Sequence, residues 1–486
     1  MKKCKGLTLE DCQLAVIGMA VEDNENAINA ELYNNPMIKE VIEIIEEFLI
    51  NKKLICYGGT AINAVLPEKD KFYKNNAGIP DYDFFTNNAL EDTKELVDIY
   101  YKRGFNVSAK SGVHYGTYKV YVDYSINIAD ITQIHDELFE KLSNECMIVN
   151  GIRFCPPNFL RMSMYLELSR PRGDIERWEK VLKRLQLLNK NYTINITNCK
   201  KMHTHDDEVT KKVFEITKSF LFNEDVVIFG GYAISLFLRE VGRREHVDVA
   251  TVYDFDILCL DSKEIATKLV RILKEEGIDK VVLKENPQII GFMHDSYSVL
   301  VNDVVIAGVY TATACHNYNV LKIDSNIKIK VATIDTILSF YLLFLYSSEE
   351  FYDKDRLYCF IQILFKIQNY NIMRNGLLHR FGLDCYGKQE TLKDIIEKKA
   401  KMSSIIKKKH DMALKNKYFF NYNPTKDKKY KHHPAKKRKV TNKKKHVVKK
   451  VRTKANAKKA TTKTKKQRYF YIKTKNNKSI KIKKSM

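Results

Sequence analysis

The feature of this chain that most restricts its fold is an internal repeat. Residues 57–65 read YGGTAINAV, and residues 229–237 read FGGYAISLF. Two further matches follow in the same order: PDYDF at 80–84 beside YDFDI at 253–257, and IADI at 128–131 beside IAGV at 306–309. An ordered series of matches at a slowly growing offset indicates a duplicated domain. Chance similarity between two α/β segments is the weaker explanation.

The pattern around each repeat predicts the fold class. In the first copy, Pro36 opens a helical pattern that runs to about Lys52, and a short apolar strand precedes the Gly-Gly turn. Residues 105–132 alternate like a small antiparallel sheet, and residues 133–190 are predicted to be mostly helical. We therefore predict an α/β (α+β) protein with two tandem lobes of one fold, the second degenerate, and a disordered basic tail.

Charge separates a body from a tail. The predicted parts are an N-terminal segment (1–35), a first lobe (36–190), a second lobe (191–400) and a lysine-rich tail (401–486). The net charge is +24, yet Asp427 is the only acid from Lys426 to the C-terminus, so the preceding chain is close to neutral. A polycationic tail favours a polyanionic partner, nucleic acid first and an anionic membrane surface second. The longest apolar run, residues 337–346, is too short to span a bilayer, so we expect no membrane partner.

The cysteines carry little functional signal. Ten cysteines are scattered along the chain without C-x-x-C spacing, so we expect no zinc site. Several lie within apolar runs, which is typical of reduced core cysteine in a reducing compartment.

Two aspartates of the first copy have the spacing of metal ligands. Asp81 and Asp83 are two residues apart on a predicted strand, so their side chains share one face. Two carboxylates this close repel each other unless a cation lies between them. Hard oxygen ligands suit Mg²⁺ or Mn²⁺, and Mg²⁺ completes its shell with substrate phosphates and water.

A third acid comes from a later strand. Asp130 lies within the apolar strand 128–131, where an acid is costly unless it is paired or binds a metal. Asp123 is the alternative, because it also follows a strand-like run. We prefer Asp130, since Asp123 begins a stretch where a hairpin turn belongs. Three carboxylates would let two ions share the site, as in in-line displacement at phosphorus.

The Gly-Gly turn is suited to an anion. Gly58 and Gly59 lie between a predicted strand and a predicted helix, and Thr60 follows them. Glycine allows the backbone to approach a phosphate, and a helix N-terminus offers free N–H groups. Thr60 either caps the helix or contacts a phosphate. Each of these pieces is common by itself, so only their combination points to nucleotide chemistry.

In that combination the chain resembles the DNA-polymerase-beta-like nucleotidyltransferase superfamily. The shared pattern is h-G-[GS], then D-h-[DE]-h, then a separate h-[DE]-h, present here at 57–60, 81–84 and 129–131. The forms GGTAIN and PDYDFF are most similar to the poly(A) polymerase catalytic subunits of poxviruses and other large DNA viruses. The loop at 67–80 is longer than most of the superfamily has, as in that viral branch.

This resemblance implies transfer of AMP from ATP to an RNA 3′-OH. Asp81 and Asp83 would bind two metal ions, Asp130 would bind the one nearest the 3′-OH, and the turn would seat the triphosphate. Related folds contact the phosphates from a charged helix, here residues 174–184. Its candidates are Lys180, Lys183 and Arg184, with a solvated helix face as the alternative.

The second copy is expected to be inactive. It keeps Gly230, Gly231, Asp254 and Asp256, but Gly308 stands where the first copy has Asp130. We expect Asp254 and Asp256 to be leftover surface carboxylates.

The tail and the rival functions complete the predictions. We expect a cytoplasmic location, at a viral replication site or in a virion. The nucleus is the alternative, because residues 434–440 (PAKKRKV) resemble a nuclear localisation signal. We expect the tail to tether RNA. The rivals to a poly(A) polymerase are another nucleotidyltransferase, such as a terminal uridylyltransferase, and a non-catalytic RNA-binding scaffold. A homodimer or a separate processivity subunit stays open.

Overall fold

Two sheets with one topology form most of this computed structural model. The structure describes residues 4, 6, 8–33, 35–73, 81–123, 126–196, 199, 207–245, 254–286, 292–293, 296–347, 353–370, 376–426, 469–473 and 479–483. Residues 1–436 form one compact unit and residues 437–486 a second.

The first lobe alternates helices with short strands. Its elements are α1 (Leu9–Tyr33), α2 (Pro36–Lys52), β1 (Ile55–Tyr57), α3 (Gly58–Val65), β2 (Tyr82–Thr86), α4 (Ala89–Lys102), β3 (Val107–Ser111), β4 (Thr117–Val122), β5 (Ile126–Gln133), α5 (Asp136–Glu145), β6 (Met147–Val149), β7 (Ile152–Phe154), α6 (Pro157–Leu168) and α7 (Trp178–Asn191). Pro36 begins α2 at the residue predicted from the sequence, because its ring is compatible with a first helical turn.

The second lobe repeats this order from α2 onward, except that its described residues have no helix at the position of α5. Its elements are α8 (Glu208–Asn223), β8 (Val227–Phe229), α9 (Gly230–Glu245), β9 (Phe255–Cys259), α10 (Ser262–Glu275), β10 (Val281–Asn286), β11 (Ser296–Val301), β12 (Val304–Thr311), β13 (His316–Lys322), β14 (Lys328–Ala332), α11 (Ile334–Phe344) and α12 (Lys354–Ile367).

The two sheets match strand for strand. The first has the order β3-β4-β5-β2-β1-β7-β6, and the second has β10-β11-β12-β9-β8-β14-β13. Each pairing also has the same direction: β2 and β5 are parallel, as are β9 and β12, while β1–β2 and β8–β9 are antiparallel. Even the register shift recurs, between Val120 and Tyr121 and between Val299 and Leu300. The predicted fold class, two tandem lobes of one fold, is confirmed.

Equivalent helices join the lobes. α6 and α11, which follow β7 and β14, pack directly on each other. Phe159 of α6 lies 5.3 Å from the ring of Tyr346, and the buried side chains of both lobes form one continuous cluster. The domain boundaries at 36, 191 and 401 remain predictions.

The C-terminal part of the body is more ordered than the sequence indicated. After β15 (Cys385–Tyr386) come α13 (Leu392–Lys409), α14 (Met412–Phe419) and β16 (Asn421–Tyr422), and β16 pairs antiparallel with β3. The ordered body therefore extends beyond residue 400, where the tail was predicted to begin. In the second unit, β17 (Tyr469–Lys473) and β18 (Ser479–Lys483) pair as a hairpin. The basic run 434–440 lies outside the described residues.

Two local expectations need correction. A hairpin of β6 and β7 interrupts the stretch predicted to be mostly helical; Asn150 and Gly151 form its turn with positive φ, a signal that was overlooked. The cysteines are not all reduced: the disulfide pairs are Cys4–Cys12, Cys199–Cys359 and Cys315–Cys385. The last two pairs are far apart in the chain, so spacing could not reveal them.

No helix among the described residues is long and apolar enough to cross a membrane.

Candidate active site

Strand register places the three predicted acids together. Asp83 of β2 lies opposite Asp130 of β5, and these strands are parallel neighbours, so both side chains leave the same face. Asp81 precedes Asp83 by two residues and shares that face. Carboxylate oxygens of the three aspartates lie within 4.8 Å of one another. Asp123, the alternative to Asp130 as the third acid, lies in the turn after β4 with a φ of 50°. The geometry therefore favours Asp130.

The cluster is electrostatically strained without a cation. Burial, followed by the nearby carboxylates of Asp81 and Asp130, raises the pKa of Asp83 to about 7. Burial and the nearby Asp130 also raise the pKa of Asp81. A positive charge placed among these oxygens would relieve the repulsion.

Two polar side chains that the sequence reasoning missed border the acids. Lys119 of β4 lies opposite Asp130 in the register, and its Nζ is 2.5 Å from Asp130 Oδ2. Asn127 Nδ2 donates to Asp130 Oδ1 at 2.9 Å and to Asp81 Oδ1 at 3.3 Å. The alternation of Thr117, Lys119 and Tyr121 along β4 was the available signal, since it marks the face that the acids share.

The cluster fits a divalent cation. Its donors are carboxylate oxygens from two strands, the ligand type that Mg²⁺ prefers. Asn127 Oδ1 is buried and has no hydrogen-bond partner, so a further oxygen lies beside the acids with its lone pairs unused. Asp81, Asp83 and Asp130 are therefore able to hold a metal ion.

The predicted phosphate turn lies against the acids. α3 begins at Gly58, so the Gly-Gly segment is the first turn of this helix. Gly58 has a φ of +71°. A Cβ on Gly58 would collide with Asp83 Oδ2, so only glycine allows the backbone this close. Thr60 Oγ1 donates to the backbone oxygen of Asp81 at 2.9 Å, whereas no side chain among the described residues caps the N-terminus of α3. The N–H groups of the first turn thus stay available to an anion.

Arg184 reaches this turn from α7. A Cβ on Gly59 would lie 2.9 Å from its guanidinium and 3.1 Å from the Tyr73 hydroxyl. Arg184 donates to that hydroxyl at 2.8 Å and lies over the ring of Phe72 at 4.6 Å. Asn63 Oδ1 in turn accepts hydrogen bonds from the backbone N–H groups of both aromatic residues, which fixes them beside α3.

A buried arginine holds α7 in place. Arg161 of α6 donates to Asn189 Oδ1 and to the Leu188 backbone oxygen, both at 2.9 Å. Burial lowers the pKa of Arg161 to about 10. This contact ties the C-terminal half of α7 to the core and so determines where Arg184 points.

The other basic candidates do not approach the turn in the same way. Lys183 Nζ pairs with Glu179 at 2.6 Å on an exposed helix face. Lys180 is exposed on the same helix. Of the three predicted cations, Arg184 is the one with a described contact at Gly59, and all three roles remain predictions.

The second lobe has the same geometry with different groups. Gly308 of β12 lies opposite Asp256 of β9, the register position that Asp130 and Asp83 share in the first lobe. Arg356 of α12 lies 2.9 Å from Asp254, so an internal cation occupies this neighbourhood. The expectation of leftover surface carboxylates is wrong: Asp254 is paired, and Asp256 is partly buried between Gly230 and Gly308.

Comparison with known proteins points to the same family that the sequence motifs resemble. Residues 43–174 match the family described as "Poly(A) polymerase catalytic subunit". This segment contains the glycine turn and all three acids. The resemblance to viral poly(A) polymerase catalytic subunits is confirmed. A putative poly(A) polymerase catalytic subunit of African swine fever virus is 31% identical over 170 residues, or 34% of this chain and 35% of that protein.

Two further relatives extend the comparison. A putative poly(A) polymerase catalytic subunit of Acanthamoeba polyphaga mimivirus is 26% identical over 212 residues, covering 41% of this chain and 35% of that protein. The crystal structure of the Megavirus polyadenylate synthase superposes with a TM-score of 0.71 at 20% identity, covering 86% of each chain. The fold is therefore shared over most of the chain, whereas the sequence match spans about a third of the length of the curated relatives.

Proposed function

We propose that this chain is a template-independent poly(A) polymerase that transfers AMP from ATP to RNA 3′ ends and releases pyrophosphate. The observation that carries the proposal is the register of β2 and β5, which places Asp83 opposite Asp130 with the glycine turn against Asp83. Acids for a metal and a turn for phosphates meet at one point, which is what phosphoryl transfer requires. The matched family and relatives support RNA and ATP as substrates.

Each group of residues in the site would have its own role. Asp81 and Asp83 would hold two Mg²⁺ or Mn²⁺ ions, and Asp130 the ion nearer the RNA 3′-OH. Bound divalent ions supply charge stabilisation for the attacking and leaving oxygens of the displacement. The α3 N–H groups and Arg184 would bind the triphosphate and orient its α-phosphorus toward the acids.

The bond changes follow from that arrangement. The RNA 3′-oxygen forms a bond to the α-phosphorus of ATP, and the bond from that phosphorus to the pyrophosphate oxygen breaks. Asp130 would accept the proton of the 3′-OH as the new bond forms, and the released pyrophosphate would keep the electron pair of the broken bond.

The partner and location predictions rest on sequence. The lysine-rich tail would tether RNA electrostatically, so RNA affinity should fall steeply with salt. A homodimer or a separate processivity subunit, and a cytoplasmic viral replication site, are kept as proposals. A sedimentation measurement of the purified chain gives its oligomeric state and so tests the homodimer.

Extension of a labelled RNA primer with each of the four nucleoside triphosphates tests the proposal. We expect long tails with ATP and none with the Asp83→Asn variant, while Asp256→Asn, the matched change in the second lobe, extends normally. Extension with UTP instead would make the chain a terminal uridylyltransferase. Tight RNA binding without extension by any nucleotide would contradict the proposal and favour a scaffold.

A further inference from the structure

The acids have two flanks, and only one is used by the triphosphate. In the first sheet, β1 and α3 lie on one side of the acid-bearing strands, and β4 and β3 lie on the other. The glycine turn and Arg184 are on the β1 side, so under the proposed function the pyrophosphate leaves there. An in-line displacement brings the attacking oxygen from the side opposite the leaving group. The RNA 3′ end should therefore approach over β4 and β3.

That flank continues the row of the acids. Lys119 lies opposite Asp130, and Lys110 of β3 lies opposite Lys119. Buried and half-buried residues alternate along β4, and Lys119 and Tyr121 belong to the accessible face. At about 4.8 Å between strands, the Cα of Lys110 is about 10 Å from that of Asp130.

An aromatic ring lies between the two lysines. Lys110 Nζ is 4.3 Å from the centre of the Tyr121 ring, and Tyr121 lies two residues from Lys119 on the accessible face of β4. A ring beside cations is the usual surface for single-stranded nucleic acid, since bases stack on the ring and phosphates lie against the charges.

Protection of a sheet edge does not explain Lys110. Lysines on edge strands discourage pairing with other chains, but β3 is covered by β16, whose Asn421 lies opposite Lys110. Lys110 is nevertheless exposed. The charge of Lys110 is therefore exposed to solvent near the acids, and protection of a sheet edge does not account for it.

The second sheet supplies a comparison for each position. Its corresponding row is Lys284, Ser298, Gly308 and Asp256, and Leu300 stands at the register position of Tyr121. The outer lysine is present in both sheets, whereas the ring and the inner lysine occur only beside the intact acids.

We propose that Lys110, Lys119 and Tyr121 form the binding site for the terminal nucleotides of the RNA primer. Tyr121 stacks on a base near the 3′ end, and Lys110 neutralises a backbone phosphate. This inference rests on the proposed function for the identity of the ligand, single-stranded RNA.

Steady-state kinetics of the full chain with a short RNA primer test the site. Lys110→Glu and Tyr121→Ala should each raise the KM for primer about tenfold, the loss of one stacking or phosphate contact. The KM for ATP should stay unchanged, and Tyr121→Phe, which keeps the ring, should restore the wild-type KM. Lys284→Glu is the matched control in the second sheet. Equal effects of Lys110→Glu and Lys284→Glu, or a rise in the ATP KM alone, would overturn the proposal.

Crosslinking in EDTA separates the site from the activity. An RNA with a photoreactive 3′-terminal base should attach to β4 in the wild type and lose most of that attachment in Lys110→Glu. Attachment confined to the tail or to the second sheet would overturn the proposal. If the wild type crosslinks at β4 but extends no RNA, the RNA site stands and the polymerase proposal fails.

Discussion

The two sheets of this protein have the same strand order and register but differ at the few positions where chemistry is expected. In the first, the row Lys119, Asp130 and Asp83 crosses three strands. In the second, the same row reads Ser298, Gly308 and Asp256. One difference, glycine in place of an acid, leaves the second sheet without the third candidate metal ligand while the backbone pairing stays intact.

The charge that compensates the remaining acids also differs. In the first sheet, three carboxylates face one lysine, so a net negative charge is left for a cation to neutralise. In the second, Arg356 pairs with Asp254. The second lobe, which lacks the third acid, thus has a positive charge supplied by its own chain.

The largest expected difference between the lobes is in catalysis. Asp83→Asn should lower kcat for ATP-dependent primer extension about a thousandfold, because loss of several kcal/mol of charge stabilisation has that effect. Asp256→Asn, at the equivalent position, should leave kcat within twofold of the wild type. Equal losses in both variants would mean that the second lobe takes part in the chemistry.

Stability should show the opposite asymmetry. Arg356→Met leaves Asp254 without its partner and should lower the free energy of unfolding by about 2 kcal/mol, reduced from the fully buried case because both side chains are partly exposed. Lys119→Met, measured by urea unfolding with Mg²⁺ present, should cost about 1 kcal/mol or less, since the metal replaces the lost charge. A larger loss in Lys119→Met would contradict the idea that the first lobe relies on an external cation.

Metal removal should affect only the first lobe. At ten times its Kd, Mg²⁺ should stabilise the wild type by about 1.4 kcal/mol, seen as a higher Tm that EDTA reverses. The shift should disappear in Asp83→Asn and persist in Asp256→Asn. Loss of the shift in Asp256→Asn instead would place the ion in the second lobe.

The smallest effect concerns pH. Burial, followed by the nearby Asp254, raises the pKa of Asp256 to about 8. Because the folded state then binds a proton more tightly than the unfolded state, this group stabilises the fold at acid pH and loses that contribution as pH rises toward 8. Asp256→Asn should flatten this part of the pH dependence and be more stable than the wild type at pH 8. An unchanged slope in chemical unfolding curves would show that Asp256 is not the group responsible.

The repeated fold and the grouping of the three acids could be predicted from the sequence, for a physical reason. Strand–Gly-Gly–helix signals and D-h-D spacing are local, and a duplication displays them twice. The match of Asp130 with Gly308 was predicted from the repeat, and the register of β12 against β9 confirms that alignment.

Contacts between distant segments could not be predicted from local patterns. Lys119 reaches Asp130 through the pairing of β4 with β5, Asn127 reaches Asp81 through the pairing of β5 with β2, and Arg184 of α7 lies beside Gly59. The pairing of Arg356 with Asp254 joins residues that are far apart in sequence. The folded segment 401–426 was missed because its lysine content resembles that of the tail, while its pairing with β3 is a tertiary contact.

The most direct test converts the first sheet into the second at one position. Asp130→Gly gives β5 the residue that β12 carries, and circular dichroism and thermal melting establish that the variant is folded. We expect this variant to bind RNA as the wild type does but to extend no primer with ATP. Extension at the wild-type rate by the folded Asp130→Gly variant would contradict the claim that the intact row of acids is what makes the first lobe catalytic.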